Sequence, residues 1–199
     1  MTLDLALALA AFAFAASITP GPNNLMLMAS GANFGLRRTL PHMAGVSIGH
    51  AFMVLVLGLG LLQIFDLVPG LKTGLTIVCS IYLLFLAWKI ATAAPPRASD
   101  APGRPLTFLQ AAGFQWVNPK AIYMAITAQT GYAPADAGAA GAIAVALIFL
   151  CINLPSVATW AWAGTQLRRF LGTGGRLRAF NITMAVLLAL TLVPVWRGL

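Results

Sequence analysis

Acidic side chains are almost missing from this sequence, which has no glutamate and only four aspartates among its 199 residues. All charged residues together make up 8% of the chain, whereas a soluble domain usually carries about 25%. Too few charged side chains remain to cover the surface of a soluble fold. Hydrophobic residues make up 60% of the sequence, and its mean hydropathy is +0.88. The composition therefore predicts a protein embedded in a membrane.

Cysteine is scarce as well, and the two that occur, Cys79 and Cys151, both lie in apolar runs. This argues against a disulfide framework or a metal site, and we predict two buried structural thiols. No cluster of metal ligands, phosphate-binding loop or nucleophilic triad is visible, so we predict no metal, no cofactor and no enzymatic activity. The net charge of +8 comes from basic residues in short connections between apolar runs. Such residues orient membrane helices, which argues against a nucleic-acid partner.

The apolar runs are long enough to cross a lipid bilayer. A helix needs about 20 mostly apolar residues to cross about 30 Å of hydrocarbon, so six such helices use about 120 residues. The rest of the chain suffices only for short connections. We predict an all-α integral membrane protein with six transmembrane helices in a single domain that covers residues 1–199. The predicted spans cover about 5–34, 40–62, 73–93, 106–129, 137–163 and 177–195.

The distribution of basic residues predicts how these helices are oriented. The connections after the first, third and fifth spans, with their flanks, carry nine Lys and Arg residues, against two on the other side. Positive residues accumulate in cytoplasmic loops, so we place these connections in the cytoplasm and both termini outside. Each half then has three spans, and the two halves would be inverted repeats. Repeat one covers about 1–93, a cytoplasmic linker about 94–105, and repeat two about 106–199.

Proline interrupts the first helix of each predicted half, at residues 19–22 and at residues 118–119. Proline removes a backbone hydrogen bond and clashes with the preceding turn. In lipid the freed carbonyls need other partners, and a proline is well suited to begin the next helix. Transporters with inverted repeats bind substrate near the midplane, between such interrupted helices. The predicted substrate-binding residues at the two interruptions are Thr19, Pro20, Gly21, Pro22, Asn118 and Pro119.

Lys120 follows the second interruption, in the first turn of the new helix. A cation at this position opposes the helix dipole and is costly inside hydrocarbon. No acidic residue lies in the interior of a predicted span. We therefore predict that the carboxylate of a substrate binds Lys120. The alternative is that its ammonium group bonds a backbone carbonyl, or water in a cavity.

Three asparagines and one histidine are further site candidates. Asn23 and Asn24 would read the amino or carboxyl group of a substrate, or else they satisfy the opened backbone. Asn153, two residues before Pro155, would line the same cavity or belong to a plain kink. His50 is the candidate for proton coupling, because histidine titrates near neutral pH. The alternative for His50 is a neutral side chain bonded to a neighbouring helix.

Four glycines have the spacing of helix contacts, Gly31 with Gly35 and Gly45 with Gly49. Such spacing lets helices approach closely, within the bundle or between protomers, so a homodimer is possible. We expect His42 at the interface between membrane and water. Further candidates to line a cavity are Gln115, Gln129 and Asn181.

The two proline motifs and their neighbours carry a resemblance to the LysE/RhtB family of bacterial amino-acid exporters. The matching features are residues 19–23, Gly35 with Arg37, the glycine pair at 45 and 49, and residues 118–120. The length also agrees, so the resemblance covers essentially the whole chain. It implies a multi-pass transporter in the bacterial cytoplasmic (inner) membrane that exports amino acids or close derivatives, driven by protons or by the membrane potential. It also implies that both proline motifs line the transport path.

The absence of acidic residues from the interior of the predicted spans narrows the expected class of substrate. A basic amino acid would want an intramembrane carboxylate for its side chain, so we predict a neutral L-amino acid. The alternative function is a small-ion carrier for metal cations, but such sites need oxygen or thiolate ligands, usually carboxylates. A membrane enzyme would place acid–base groups or a nucleophile near the interface. An inert scaffold would have no need of paired helix interruptions.

Overall fold

The computed structural model describes residues 1–61, 70–93, 103–134, 137–171 and 175–197. These ranges are helical and contain no strand, which confirms the all-α prediction. A π-helical turn, Leu57–Leu61, extends the third helix, and a 3-10 turn, Gln115–Val117, separates the fifth from the sixth. The α-helices are α1 (Leu3–Ile18), α2 (Pro22–Phe34), α3 (Leu36–Val56), α4 (Leu71–Ala91), α5 (Phe108–Phe114), α6 (Pro119–Tyr132), α7 (Gly138–Leu171), α8 (Gly175–Leu190) and α9 (Leu192–Arg197).

Local sequence signals explain where several helices begin. The Thr2 side chain accepts a hydrogen bond from the Leu5 amide at the start of α1, as a helix cap does. At the start of α5, Thr107 and Gln110 cap each other's backbone amides reciprocally. Between α2 and α3 the chain turns at Gly35, whose φ of 79° lies in the left-handed region that favours glycine. Gly35 therefore serves the turn rather than a helix contact.

Two helices are long and apolar enough to cross a membrane, Leu36–Gly60 and Gly138–Arg168. The pair α1 and α2 passes the same test when taken together, with a bend of 55° between its halves, and would be a third span. The segment Ser80–Ala91 of α4 is apolar but shorter. These counts cover only the part of the chain that the structure describes.

The bundle has an apolar core, but it also buries many polar side chains and exposes many large apolar ones. Leu7, Phe52 and Ile81 are each more than half exposed. A surface of this kind suits lipid. The interior polar groups then need hydrogen-bond partners within the protein, because lipid offers none. The buried polar residues include Asn24, His42, His50, Gln115, Asn153 and Asn181.

Glycines permit the closest helix contacts within the chain. A β-carbon at Gly31 of α2 would collide with the backbone carbonyl of Ala161 in α7. A β-carbon at Gly45 or Gly49 of α3 would collide with the backbone of α5. These three glycines therefore let helices of one chain approach closely, as their spacing predicts.

Some predicted boundaries and environments were wrong. Helix α3 begins at Leu36, four residues before the predicted span, and His42 is buried inside the bundle. Its expected position at the level of the interface stays a prediction. Cys151 is exposed rather than buried. It falls on the outward stripe of α7 between Leu147 and Leu154, which are also exposed. The Cys79 side chain, Asp66, Asp136 and most of the predicted linker lie outside the described residues.

The π-helical turn after α3 was not predicted. Gly60 within it has a φ of 124°, which only glycine adopts readily. The Gln129 side chain of α6 donates to the Val54 carbonyl at 2.8 Å, just before this turn. A β-carbon at Gly58 would overlap that amide. Two glycines and one buried glutamine therefore let this end of α3 widen and bend against α6.

Candidate functional site

The first helix ends and restarts at residues 19–21. Helix α1 stops at Ile18 and α2 begins at Pro22, with extended backbone at Thr19 and Gly21 between them. Pro20 and Pro22 have no N–H group, so they cannot bond the carbonyls four residues earlier, those of Ala16 and Ile18. The interruption therefore leaves several carbonyls at the end of α1 without their helical donors.

Side chains of α2 and α7 donate hydrogen bonds to most of these carbonyls. The Asn24 amide donates to the Ser17 carbonyl at 2.7 Å and to the Thr19 carbonyl at 2.8 Å. The Trp160 indole of α7 donates to the Ile18 carbonyl at 3.1 Å. Asn24 thus satisfies the opened backbone, which is one of the two roles considered for it.

The second interruption is smaller and is built differently. The 3-10 turn after α5 leads to Asn118, which has extended backbone, and α6 begins at Pro119. The Asn118 side chain accepts a hydrogen bond from the Lys120 amide at 3.2 Å. This is the arrangement of a helix cap followed by proline at the first helical position.

The two interruptions meet in space at Lys120. Its ammonium group donates to the Thr19 carbonyl at 2.7 Å and to the Pro20 carbonyl at 3.4 Å. A β-carbon at Gly21 would lie 2.8 Å from Cδ of Lys120, so a larger residue at position 21 would displace this side chain. In this conformation the Lys120 ammonium bonds backbone carbonyls, the alternative that the sequence left open. Among the described residues it forms no ion pair.

A second link joins the interruptions through two amides. Asn23 donates to the Gln115 side-chain oxygen at 2.8 Å, and Gln115 donates back to Asn23 at 3.2 Å. Gln115 is fully buried and also donates to the Ala111 carbonyl at 2.8 Å. Asn23 is therefore held by the 3-10 turn before α6, so a substrate that bonded Asn23 would replace this pair.

Most of the predicted site residues line one small cavity, which we call the central cavity. Its free volume, counted as the space open to the centre of a water molecule, is about 20 Å³, which holds about one water. The backbone carbonyls of Thr19 and Pro20 bond Lys120 at its edge, whereas Pro119 begins α6 without lining it. The predicted residues that line the central cavity are Gly21, Pro22, Asn23, Asn24, His50, Asn118, Lys120 and Asn153.

Asn153 of α7 and His50 of α3 also line the central cavity. The Asn153 amide donates to the Ser17 hydroxyl at 3.1 Å, and its oxygen accepts from the Ser47 hydroxyl at 3.1 Å. Asn153 thereby ties α7 to α1 and α3. His50 packs edge-on against Phe149 with 5.1 Å between ring centroids, and its Nε2 atom has no hydrogen-bond partner in the described ranges. The predicted coupling role of His50 stays a prediction.

Four residues of the site carried little or no signal in the sequence. Ser17 and Ser47 were not singled out, Trp160 was expected only as an interface anchor or a packing residue, and Gln115 was only a possible cavity liner. Each acts through a partner that tertiary packing supplies, as when Trp160 reaches α1 from the far half of the chain. One signal was available, because the two prolines require donors from elsewhere for carbonyls at the end of α1.

The described residues contain no set of ligands for a metal ion. In the part of the chain that the structure describes, no group of three or more His, Cys, Asp or Glu side chains is close enough to hold a metal ion. The described site instead offers an ammonium group, four asparagines and backbone carbonyls. Groups of this kind recognise a small polar molecule.

A helical membrane protein in which two helices begin at proline beside one small cavity is the class that the fold and the site define. The family described as LysE type translocator matches residues 14–193 of the sequence, and the chain belongs to that family. Its members are bacterial integral membrane proteins.

Two relatives show how far the similarity extends. The chain is 32% identical over 190 residues to the cysteine/O-acetylserine efflux protein of Klebsiella pneumoniae subsp. pneumoniae, covering 94% of this chain and 95% of that protein. It is 29% identical over 199 residues to the protein of the same name in Escherichia coli K12, covering 98% and 100%. No solved structure matches the chain significantly.

Proposed function

We propose that this protein is a secondary transporter that exports small neutral amino acids or close derivatives from the bacterial cytoplasm. The observation that carries the proposal is the contact between the Lys120 ammonium group and the Thr19 and Pro20 carbonyls. A cation and open carbonyl acceptors lie side by side, away from any described acidic residue. An amino acid offers the complementary pair, a carboxylate and an ammonium group one carbon apart.

The dipoles of the helix ends favour binding of both the carboxylate and the ammonium group of an amino acid. The start of α2 and the start of α6 present the positive ends of their dipoles, and Lys120 adds a full charge there. Anions bind such N-termini through free N–H groups. The end of α1 presents carbonyls and the negative end of its dipole. A zwitterion would place its carboxylate on Lys120 and its ammonium group on the carbonyls that Lys120 now occupies.

The absence of acidic partners supports a neutral side chain for the substrate. A lysine or arginine substrate would carry a second cation toward Lys120, at a large electrostatic cost inside a membrane. The relatives' names support the same class, because cysteine and O-acetylserine both have a neutral side chain. The central cavity holds about one water as it stands, so substrate binding requires the helices around it to separate.

The transport mechanism that we propose is alternating access between two inverted halves. The spans would be α1 with α2, α3, α4, α5 with α6, α7, and α8 with α9. Each half then begins with an interrupted helix whose second part starts at a proline, Pro22 or Pro119. Paired interrupted helices at the interface of inverted repeats are typical of substrate sites in secondary transporters.

Orientation and coupling complete the proposal. The basic residues favour both termini outside and the Arg104 end of the bundle in the cytoplasm. His50 is the candidate that would exchange a proton as the central cavity opens, since it lines the cavity with one ring nitrogen unpaired in the described ranges. A homodimer stays a prediction, and because Gly31, Gly45 and Gly49 pack inside the chain, such a dimer would use other residues.

The test is amino-acid efflux from bacterial cells loaded by dipeptide feeding. Wild type is expected to export one or more neutral amino acids, with cysteine and O-acetylserine as the first candidates. Lys120→Met should lower efflux by about tenfold or more, because losing one partner of a buried charge pair costs roughly 2–5 kcal/mol. Lys72→Met, at the start of α4, is the matched control at equal expression.

The outcomes separate the parts of the proposal. Wild-type export with an unaffected Lys120→Met variant would leave the export function and remove the carboxylate site. Export of lysine or arginine without neutral amino acids would contradict the substrate class. If no amino acid leaves the cells, divalent metal ions become the next substrates to test.

A further inference from the structure

A second cavity lies further along α2, between Met26 and Phe34, away from the first interruption. It is enclosed by α2, α3, α4 and the segment 104–106 that leads into α5. Its free volume, counted as for the central cavity, is about 100 Å³, against about 20 Å³ there. The second cavity therefore has room for several water molecules or a small solute in this conformation.

The rim of the second cavity is positively charged. Lys89 of α4 and Arg104 both line it and both are exposed. No described acidic residue contributes to the lining. Its walls are apolar and include Met26, Leu86 and Leu106. A cavity with a cationic rim and apolar walls suits a small solute that bears one carboxylate and a neutral side chain.

The interior of the second cavity contains unused hydrogen-bonding capacity. His42 lines it, is 1% exposed, and has no hydrogen-bond partner at either ring nitrogen in the described ranges. Ser30 and Asn33 also line it but are already paired, Ser30 with Thr39 and Asn33 with Asn181. A neutral imidazole offers one donor and one acceptor. His42 is therefore a buried polar group of this lining that is free, among the described residues, to bond a ligand.

One face of α2 connects the two cavities. Asn23 lines the central cavity, and Met26, Ser30 and Asn33 line the second. Their spacing of three, four and three residues places them in one stripe along the helix. Ten residues of helix correspond to about 15 Å, so the cavities lie one above the other along this stripe. Along this stripe Asn23 is bonded to Gln115, and Met26, which lines the second cavity, is buried.

We propose that the second cavity is a separate binding site for the exported amino acid. Its carboxylate would bind Lys89 and Arg104, its ammonium group or side chain would reach His42, and it would pass along the α2 stripe to the central cavity. The proposal rests on the proposed export function and adds a second site to it. The two sites would bind the same class of zwitterion, one beside the rim cations and one beside Lys120.

Binding stoichiometry tests this directly on the purified full-length protein in detergent. The probe is radiolabelled O-acetyl-L-serine at mildly acidic pH, measured by equilibrium dialysis. Wild type should bind two equivalents, and Lys120→Met should bind one. The double variant Lys89→Gln/Arg104→Gln, which changes only exposed side chains, should also bind one, and the triple variant none. Arg37→Gln removes an exposed cation outside the cavity and should bind two.

Transport supplies a second readout. The double variant should lose about tenfold in efflux at low internal substrate, the lower end of what a charged cleft adds to association rates. Its maximal efflux at high internal substrate should stay close to that of wild type. Lys120→Met should instead lower efflux at every substrate concentration.

Several results would overturn the second site. The second site would be contradicted if wild type binds one equivalent, Lys120→Met binds none and the double variant still binds one. The proposed export function would then stand. Displacement of one equivalent by inorganic phosphate, but not by other neutral amino acids, would make the cavity a general anion site. No binding of O-acetylserine or of any other neutral amino acid, together with no efflux, would remove the proposed function itself.

Discussion

The two helix interruptions differ in how much of the backbone each leaves open. At residues 19–21 the chain is out of helix for three residues, and α1 ends in carbonyls that are bonded by Asn24, Trp160 and Lys120. At Asn118 the chain leaves the helix for a single residue after a 3-10 turn, and that residue caps the next helix itself. The first interruption depends on other helices, whereas the second is locally satisfied.

Because of this difference, the two interruptions have different roles in the candidate site. The open carbonyls of the first are acceptors that a ligand could share, because their present donors are side chains that can move. The second interruption fixes the first turn of α6 and so positions Lys120 against those carbonyls. The two act as one site only because α6 brings its cation to the end of α1.

The largest loss in the free energy of unfolding is expected where two donors share one acceptor of the first interruption. Asn24 and Lys120 both donate to the Thr19 carbonyl, so either single substitution leaves it one donor. Asn24→Ala combined with Lys120→Met leaves it none, and an acceptor without a donor costs roughly 1–3 kcal/mol where water is excluded, as it is inside a membrane. The double variant should therefore lose about 1–2 kcal/mol more than the sum of the singles. The free energy of unfolding in mixed detergent micelles measures this.

A matched pair of substitutions controls for general damage. Asn23→Ala with Lys120→Met should be additive, because Asn23 bonds Gln115 and shares no acceptor with Lys120. If both pairs are additive, the carbonyls of the first interruption are solvated well enough without side-chain donors. The contrast between the two interruptions would then be wrong.

A smaller effect is expected from the donor that α7 contributes. Trp160→Phe keeps an aromatic ring but removes the indole N–H that bonds the Ile18 carbonyl at 3.1 Å. The expected loss is about 1–2 kcal/mol, because the carbonyl loses its side-chain donor in a partly buried place. Trp162→Phe is the control, since Trp162 is 56% exposed on the same helix. Equal losses in both variants would show that ring size rather than the hydrogen bond matters.

The fold was predictable as far as apolar runs and prolines determine it. Long runs without acids predicted helices in a membrane, and Pro22 and Pro119 each begin a helix as their chemistry requires. The turn at Leu57–Leu61 was not predictable, because it depends on Gln129 arriving from α6 to bond Val54. Cys151 was misplaced for a similar reason, since an apolar run gives no sign of which stripe faces lipid.

Most of the predicted site residues line the central cavity, but the sequence did not predict their hydrogen-bond partners. Asn23, Asn24, Asn153 and Lys120 follow or lie close to prolines in apolar runs, where polar side chains are costly without partners. The sequence left open whether Lys120 bonds a carbonyl or awaits a carboxylate, and only the proximity of α1 decides it for this conformation. The roles of Gln115 and Trp160 depend on contacts between segments that are distant in the sequence, so they could not be predicted from it.

The smallest effect is expected at the second interruption. Asn118→Ala removes the cap on the Lys120 amide and should cost about 1 kcal/mol, whereas Asn118→Ser keeps an oxygen there and should cost only a few tenths. Efflux by Asn118→Ala should fall by more than its stability loss implies, because the freed first turn of α6 no longer holds Lys120 against Thr19. Thermal unfolding and efflux at matched expression measure both. A stability loss for Asn118→Ala equal to that of Asn24→Ala would mean that the second interruption also depends on distant partners.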